Sequence, residues 1–115
     1  MLPAVLNLEM IAGDGYRNTI TFKDASGSAI NVSGYTFRAQ VRKNPKSTTA
    51  VSFTIDNSGG ATGIVIISLT GAQVRSLGIG KSKWDMEYVV GNSDPTTVLK
   101  GDIKVNADVT REEAP

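Results

Sequence analysis

The dominant regularity along the chain is a period-two alternation of apolar and polar positions, interrupted repeatedly by Gly, Asn, Asp and Ser. Successive side chains of an extended strand point to opposite faces, so this alternation predicts strands with one buried face. Tyr35, Phe37, Ala39 and Val41 share one face, and Thr36, Arg38, Gln40 and Arg42 the other. Val51, Phe53 and Ile55 repeat the pattern against Ser52 and Thr54. Trp84, Met86, Tyr88 and Val90 repeat it against Asp85 and Glu87. The last run places Ile103, Val105, Ala107 and Val109 inward, with Asp102, Lys104, Asn106 and Asp108 outward. Residues 64–69 are apolar almost throughout, which predicts a central strand covered on both faces. Residues 19–23 predict a further strand, paired with the segment near Ala29 to Val32, and the opening residues from Met1 predict the first one.

Turn chemistry falls between these runs. Asp24 to Gly27, Asp56 to Gly60 and Gly91 to Pro95 each supply residues that favour tight turns, and residues 43–49 form a longer polar loop. Only residues 70–77 read as helical, with Thr70 as N-cap, Val74 and Leu77 as a small apolar face, and Gly78 as the stop. Short strands at this spacing, seven or eight in number, with one helical turn, predict an all-β immunoglobulin-like or Greek-key sandwich. One domain spanning residues 1–115 is expected, since a chain of this length holds a single core. Residues 111–115 are expected to form a flexible tail or contact arm.

Composition narrows the function classes. Twelve Lys and Arg stand against eleven Asp and Glu, a net charge of +1, which is not the basic footprint of a nucleic-acid binder. The chain has no Cys and no His, so disulfides, thiolate chemistry and the commonest zinc ligand are all excluded. No segment approaches a bilayer-spanning length, and the amino terminus lacks the basic and apolar regions of a signal peptide. The chain is therefore expected to be made and used in the cytoplasm, or inside an assembly built there.

Candidate chemistry is sparse. Gly80-Lys81-Ser82 resembles the end of a phosphate-binding loop, but position 75 is Arg where that motif needs Gly, so a loop entering the Trp84 strand is the better reading. Gly13-Asp14-Gly15 lacks the further acids of a calcium loop and reads as a turn. Asp85 and Glu87 could pair as acid and base, yet an alternate spacing on an outward strand face also describes solvated surface. Asn31-Val32-Ser33 matches a glycosylation sequon, without a secretory signal to give it meaning. Arg38, Arg42, Lys43 and Lys46 form the one local basic cluster, and two readings of it stand side by side. It contacts an acidic partner surface, or it defends an edge strand against unwanted pairing. Trp84, Tyr88, Phe37 and Phe53 read as core, and Tyr16 as the aromatic best placed to face outward.

The order of these features resembles the β-sandwich modules of tailed-phage virions, in particular the amino-terminal domain of upper baseplate (BppU-like) and tail-fibre proteins. The residues that carry the likeness are Gly13-Asp14-Gly15, then Thr21 to Asp24 with Gly27, Val32 to Thr36, Phe37 to Arg42, and Ser68 to Gln73 leading to Leu77. Trp84 to Tyr88, Leu99-Lys100-Gly101 and Val105 to Arg111 complete the series. The resemblance implies a virion part that docks onto other virion proteins in several copies, with no catalytic residue, cofactor, metal or small-molecule substrate. It departs from the fibre proteins in ending at Pro115, where they continue into a stalk and a host-binding tip. An accessory subunit of tail, baseplate or fibre attachment is thus expected, with a capsid decoration protein as the alternative in the same class. A carbohydrate-binding module is the alternative of a different class, and an enzyme is not expected.

Overall fold

A computed structural model describes residues 4–43 and 50–107. Within them the chain forms strands β1 (Ala4–Val5), β2 (Leu8–Ile11), β3 (Tyr16–Thr21), β4 (Tyr35–Arg42), β5 (Val51–Ser52) and β6 (Thr54–Asp56). A 3-10 turn (Gly60–Thr62), β7 (Ile64–Leu69), helix α1 (Gly71–Leu77), β8 (Gly80–Val90) and β9 (Thr96–Asn106) follow. Two sheets result. One runs β1–β9–β8–β4–β5, with β2 continuing the edge beside β9, and the other runs β3–β7–β6. β1 and β2 pair parallel to β9, whereas the other ladders are antiparallel. This order is the immunoglobulin-like one, with β3, β7 and β6 standing at B, E and D, and β9, β8, β4 and β5 at G, F, C and C′. The sandwich predicted by the alternation is thus present, with nine strands among the described residues rather than seven or eight.

The core lies between the sheets. From β4 it receives Phe37, Ala39 and Val41, from β7 Val65, Ile67 and Leu69, from β8 Trp84 and Met86, and from β9 Ile103 and Val105, all buried. Aromatic rings pack against one another within it: Phe53 meets Trp84 edge-on at 5.6 Å between centroids, and Phe22 stacks on Phe37 at 5.5 Å. Tyr35 and Tyr88, cross-strand neighbours two positions along the same faces as Phe37 and Met86, stack at 4.8 Å. Each fully buried apolar side chain of this size stabilises the fold by roughly 1.5–3 kcal/mol before entropy is counted.

Local chemistry explains the connections. Thr70 Oγ1 accepts from Gln73 N at 3.2 Å while Gln73 Oε1 accepts from Thr70 N at 2.8 Å, a reciprocal cap that starts α1. Val74 and Leu77 bury its inner face. In the turn after β3, Asp24 Oδ1 accepts from Ser26 N at 2.9 Å and Ser28 N at 3.0 Å, and Gly27 adopts the positive φ of 89° that closes it.

Several expectations need correction. Val51, Phe53 and Ile55 do not belong to one strand. Val51–Ser52 pair with β4, Phe53 N still donates to the Ala39 carbonyl at 2.9 Å, and Thr54–Asp56 then pair with β7. The chain crosses from one sheet to the other at Phe53, which buries its ring in the crossing. β3 pairs with β7, and the Ala29 segment pairs with the residues just past it: Lys23 bridges Ala29, Ile30 N donates to Phe22 O and Asp24 N donates to Ser28 O. β7 is central but covered on one face only, since Ile64, Ile66 and Ser68 lie half-buried on the outer side, flanked by the threonines of β3. Val90 is 43% exposed near the β8–β9 turn, and Ala107 is exposed beyond the end of β9. Residues 80–82 are the start of β8, not a loop. Tyr16 faces inward against the core, its hydroxyl accepting from Asn18 Nδ2 at 2.9 Å. Burial pushes its phenol above the usual range, partly offset by that bond. Val109, the greater part of the loop at 43–49 and the 111–115 tail lie outside the described residues.

Candidate protein-contact face

The outer surface of the six-stranded sheet follows directly from strand register. Residues that alternate away from the core on β4, β8 and β9 stand in rows across the sheet. Arg38 lies opposite Glu87, Gln40 opposite Asp85, and Arg42 opposite Lys83. On the other side of β8, Lys83 faces Asp102, Asp85 faces Lys100, and Lys81 faces Lys104. The rows interleave charge. Arg38 Nη2 reaches Glu87 Oε1 at 2.6 Å, Lys83 Nζ contacts Asp102 Oδ1, and Arg42 Nη2 donates to Gln40 Oε1 at 3.2 Å. The Lys83 hydrogen bond, with the added fields of Lys83 and Lys81, holds the Asp102 carboxyl below the usual range.

A trough of about 770 Å³ runs over these rows, bounded by Val5 and Asn7 at one side and by Arg38 and Arg42 at the other. Asp85 stands within it. Partial loss of hydration, reinforced by Glu87 on the same strand face and opposed by Arg42, raises its carboxyl above the usual range. The Lys81–Lys104 pair adds like charges in directly opposed positions, an arrangement that disfavours the isolated sheet and favours an acidic neighbour.

The trough side formed by the amino-terminal strands depends on one exchange of hydrogen bonds. Leu6 N donates to the Lys100 carbonyl at 2.8 Å, but the Leu6 carbonyl leaves the ladder and accepts from Trp84 Nε1 at 2.8 Å. The Asp102 N–H that would pair there is taken instead by Asn7 Oδ1 at 3.0 Å. The register with β9 is the same before and after this step, because the side chain of Asn7 substitutes for the missing main-chain acceptor. Gly101 makes the approach possible, since a Cβ there would lie 2.1 Å from the Leu6 oxygen. Trp84 therefore anchors the outermost strand as well as filling the core.

Of the basic cluster expected from sequence, Arg38 and Arg42 share this outer face, separated by Gln40. Lys43 follows at the end of β4, exposed, with its ammonium on the side of Gly78 beyond α1. Lys46 lies outside the described residues. β4 is flanked by β8 along its length and by β5 only at Gln40 and Val41, so the cluster stands on a partly open strand. Asp85 and Glu87 share the face as expected, but as members of mixed-charge rows rather than as a facing pair. The alternation had already turned Asp85, Glu87, Asp102 and Lys104 outward; what it lacked was Lys81, Lys83 and Lys100, and the pairing of β8 with both β4 and β9. Among the described residues no group of three or more acidic side chains is placed to hold a metal ion. No helix of the described residues is long and apolar enough to cross a membrane.

No protein-family model and no curated protein matches the chain. Among solved structures, the chain is similar to the filamin domain of Lin-41, at 19% identity and a TM-score of 0.46, over 85% of this chain and 82% of that one.

Proposed function

We propose that this chain is a non-catalytic virion module that docks onto neighbouring proteins through the outer face of its six-stranded sheet, as an accessory subunit of a phage tail, baseplate or fibre-attachment region. The observation that carries the docking half of this reading is the mixed-charge mosaic over β4, β8 and β9. It is held on a rigid sheet, alternates sign at close spacing, and surrounds a trough wide enough for a partner's side chains. Such patterns select partners by complementarity and register more than by raw affinity. The virion half rests on the ordered resemblance between Gly13 and Arg111.

Inward placement of the aromatic rings argues against glycan binding, which draws on exposed rings; Tyr16, the candidate exception, packs against the core. The Arg38–Glu87 and Lys83–Asp102 pairs also engage Glu87 and Asp102 with cations rather than turning them toward Asp85.

Quantitative mass spectrometry of purified particles tests the proposal. A few to a few tens of copies per particle are expected, and incorporation should fail for the double variant Arg38→Glu, Lys83→Glu while its circular dichroism stays that of the parent. Hundreds of copies would move the chain to the capsid as a decoration protein. Absence from particles would remove the virion reading, and normal incorporation of the double variant would remove the docking face.

A further inference from the structure

We propose that β3 is a self-association edge, through which two copies of this chain pair antiparallel about Thr19 and join their three-stranded sheets into one. β3 belongs to the opposite sheet from the docking face, so this inference does not rest on that reading.

The edge is open because of where the amino terminus goes. β1 and β2 pair with β9, leaving β3 bonded on one side to β7 and, among the described residues, to no strand on the other. The direction of its unpaired groups follows from Phe22. Phe22 N donates to Gly63 O at 2.7 Å, and Phe22 O accepts from Ile30 N at 3.0 Å, so both of its main-chain groups point toward the β7 side. Alternation then turns Ile20 and Asn18 to β7 and leaves the N–H and C=O of Arg17, Thr19 and Thr21 facing the open edge.

Sheet edges are ordinarily blunted by shortness, charged side chains on the edge, proline, a bulge or inward charge. β5 has two residues and β6 three, so both are short. β3 has six residues, its register with β7 is unbroken from Tyr16 to Thr21, and it carries neither proline nor inward charge. It is the longest of these three, and its one defence of that kind is the charge of Arg17, which a partner's Thr21 would face.

The sequence of this edge suits a second copy of itself. Centring the antiparallel pair on Thr19 sets Thr19 opposite its own counterpart and Arg17 opposite Thr21 of the other copy. No like charges meet, and each of the three pairs brings together residues whose main-chain donors and acceptors face outward. Threonine side chains opposite one another across a ladder favour pairing. The outer surface of the joined sheet would be β-branched across the junction, continuing the Thr19, Thr21, Ile64 and Ile66 patch that is only part-covered in one copy.

Sedimentation of the full chain over a concentration series tests this, with Thr21→Glu and Thr21→Lys as the decisive variants. Thr21 is exposed, so both should melt like the parent. The parent is expected to dimerise reversibly. Thr21→Glu places a carboxylate opposite Arg17 twice per dimer and should tighten the dissociation constant roughly fivefold, and Thr21→Lys should weaken it by a similar factor. A parent that stays monomeric to millimolar concentration would overturn the proposal. So would a dimer whose dissociation constant is the same for both variants, since it would be using another surface.

Discussion

Gly101→Ala adds one carbon at a point where the structure has no room for it. The new Cβ would lie 2.1 Å from the Leu6 oxygen and 2.7 Å from the Leu6 carbonyl carbon, both main-chain atoms that cannot rotate aside. Gly101 does not adopt a positive φ, so alanine's backbone preference adds no cost of its own. The clash is relieved only if the Leu6 segment moves off β9. That movement separates the Leu6 carbonyl from Trp84 Nε1 and draws Asn7 Oδ1 away from Asp102 N. Leaving the part-buried indole N–H without its acceptor costs about 1–3 kcal/mol, and displacing the strand adds to it, giving about 2–4 kcal/mol in all. Urea unfolding followed by tryptophan fluorescence measures this directly, because the reporting indole is the group that loses its partner. Gly34→Ala is the control: its added carbon meets nothing within 4 Å and its φ is not positive, so stability should hold or rise slightly. If Gly101→Ala unfolds at the same urea concentration as the parent, the hydrogen-bond exchange at Leu6 and Asn7 does not hold the amino-terminal strand.

Other expectations concern the core and the outer face. Trp84→Ala removes the largest core ring and the anchor of Leu6, and should cost on the order of 3–5 kcal/mol in the same assay. Ser82→Ala should cost nothing or stabilise by up to about 1 kcal/mol, because the buried Ser82 hydroxyl has no hydrogen-bond partner to lose among the described residues. The two shifted acids of the face have opposite signs. The lowered Asp102 stabilises the fold above its unfolded pKa, and that contribution disappears as pH falls through its folded value. The raised Asp85 works the other way, its ionisation opposing the fold as pH rises. Melting curves across the carboxylate range should therefore show Asp85→Asn more stable than the parent at neutral pH, with the advantage shrinking on acidification. Asp102→Asn should be less stable at neutral pH and converge with the parent in acid.

Much of the fold was legible because alternation is local. Which face of β4, β8 and β9 is buried can be read from much of each strand, and Thr70, Val74, Leu77 and Gly78 announce α1 without reference to anything distant. What alternation does not encode is partner choice. Residues 51–55 keep a perfect period of two through a change of sheet, because Phe53 points inward in both. β7 reads as doubly covered because isoleucine sits on both its faces, although the outer Ile64 and Ile66 are only half-buried, flanked by Thr21 and Thr19 on one side and by Gly59 and Asp56 on the other. The bridge from Leu6 to Trp84 spans 78 positions and rests on a glycine that no periodicity singles out. The contact face was half legible for the same reason. The outward residues of β4 and Asp85, Glu87, Asp102 and Lys104 were evident, but Lys81, Lys83 and Lys100, and the ion pairs that make the face a mosaic, appear only once β8 runs from Gly80 and lies between β4 and β9.

The most direct test of the docking account is lysine-selective acetylation, read by mass spectrometry for the isolated chain and for the chain within purified particles. Lys81, Lys83, Lys100 and Lys104 lie on the outer face of the six-stranded sheet, whereas Lys23 sits by the turn that follows β3. Assembly is expected to protect the four face lysines and leave Lys23 reactive. Equal labelling of the four in both states, or protection confined to Lys23, would contradict the account.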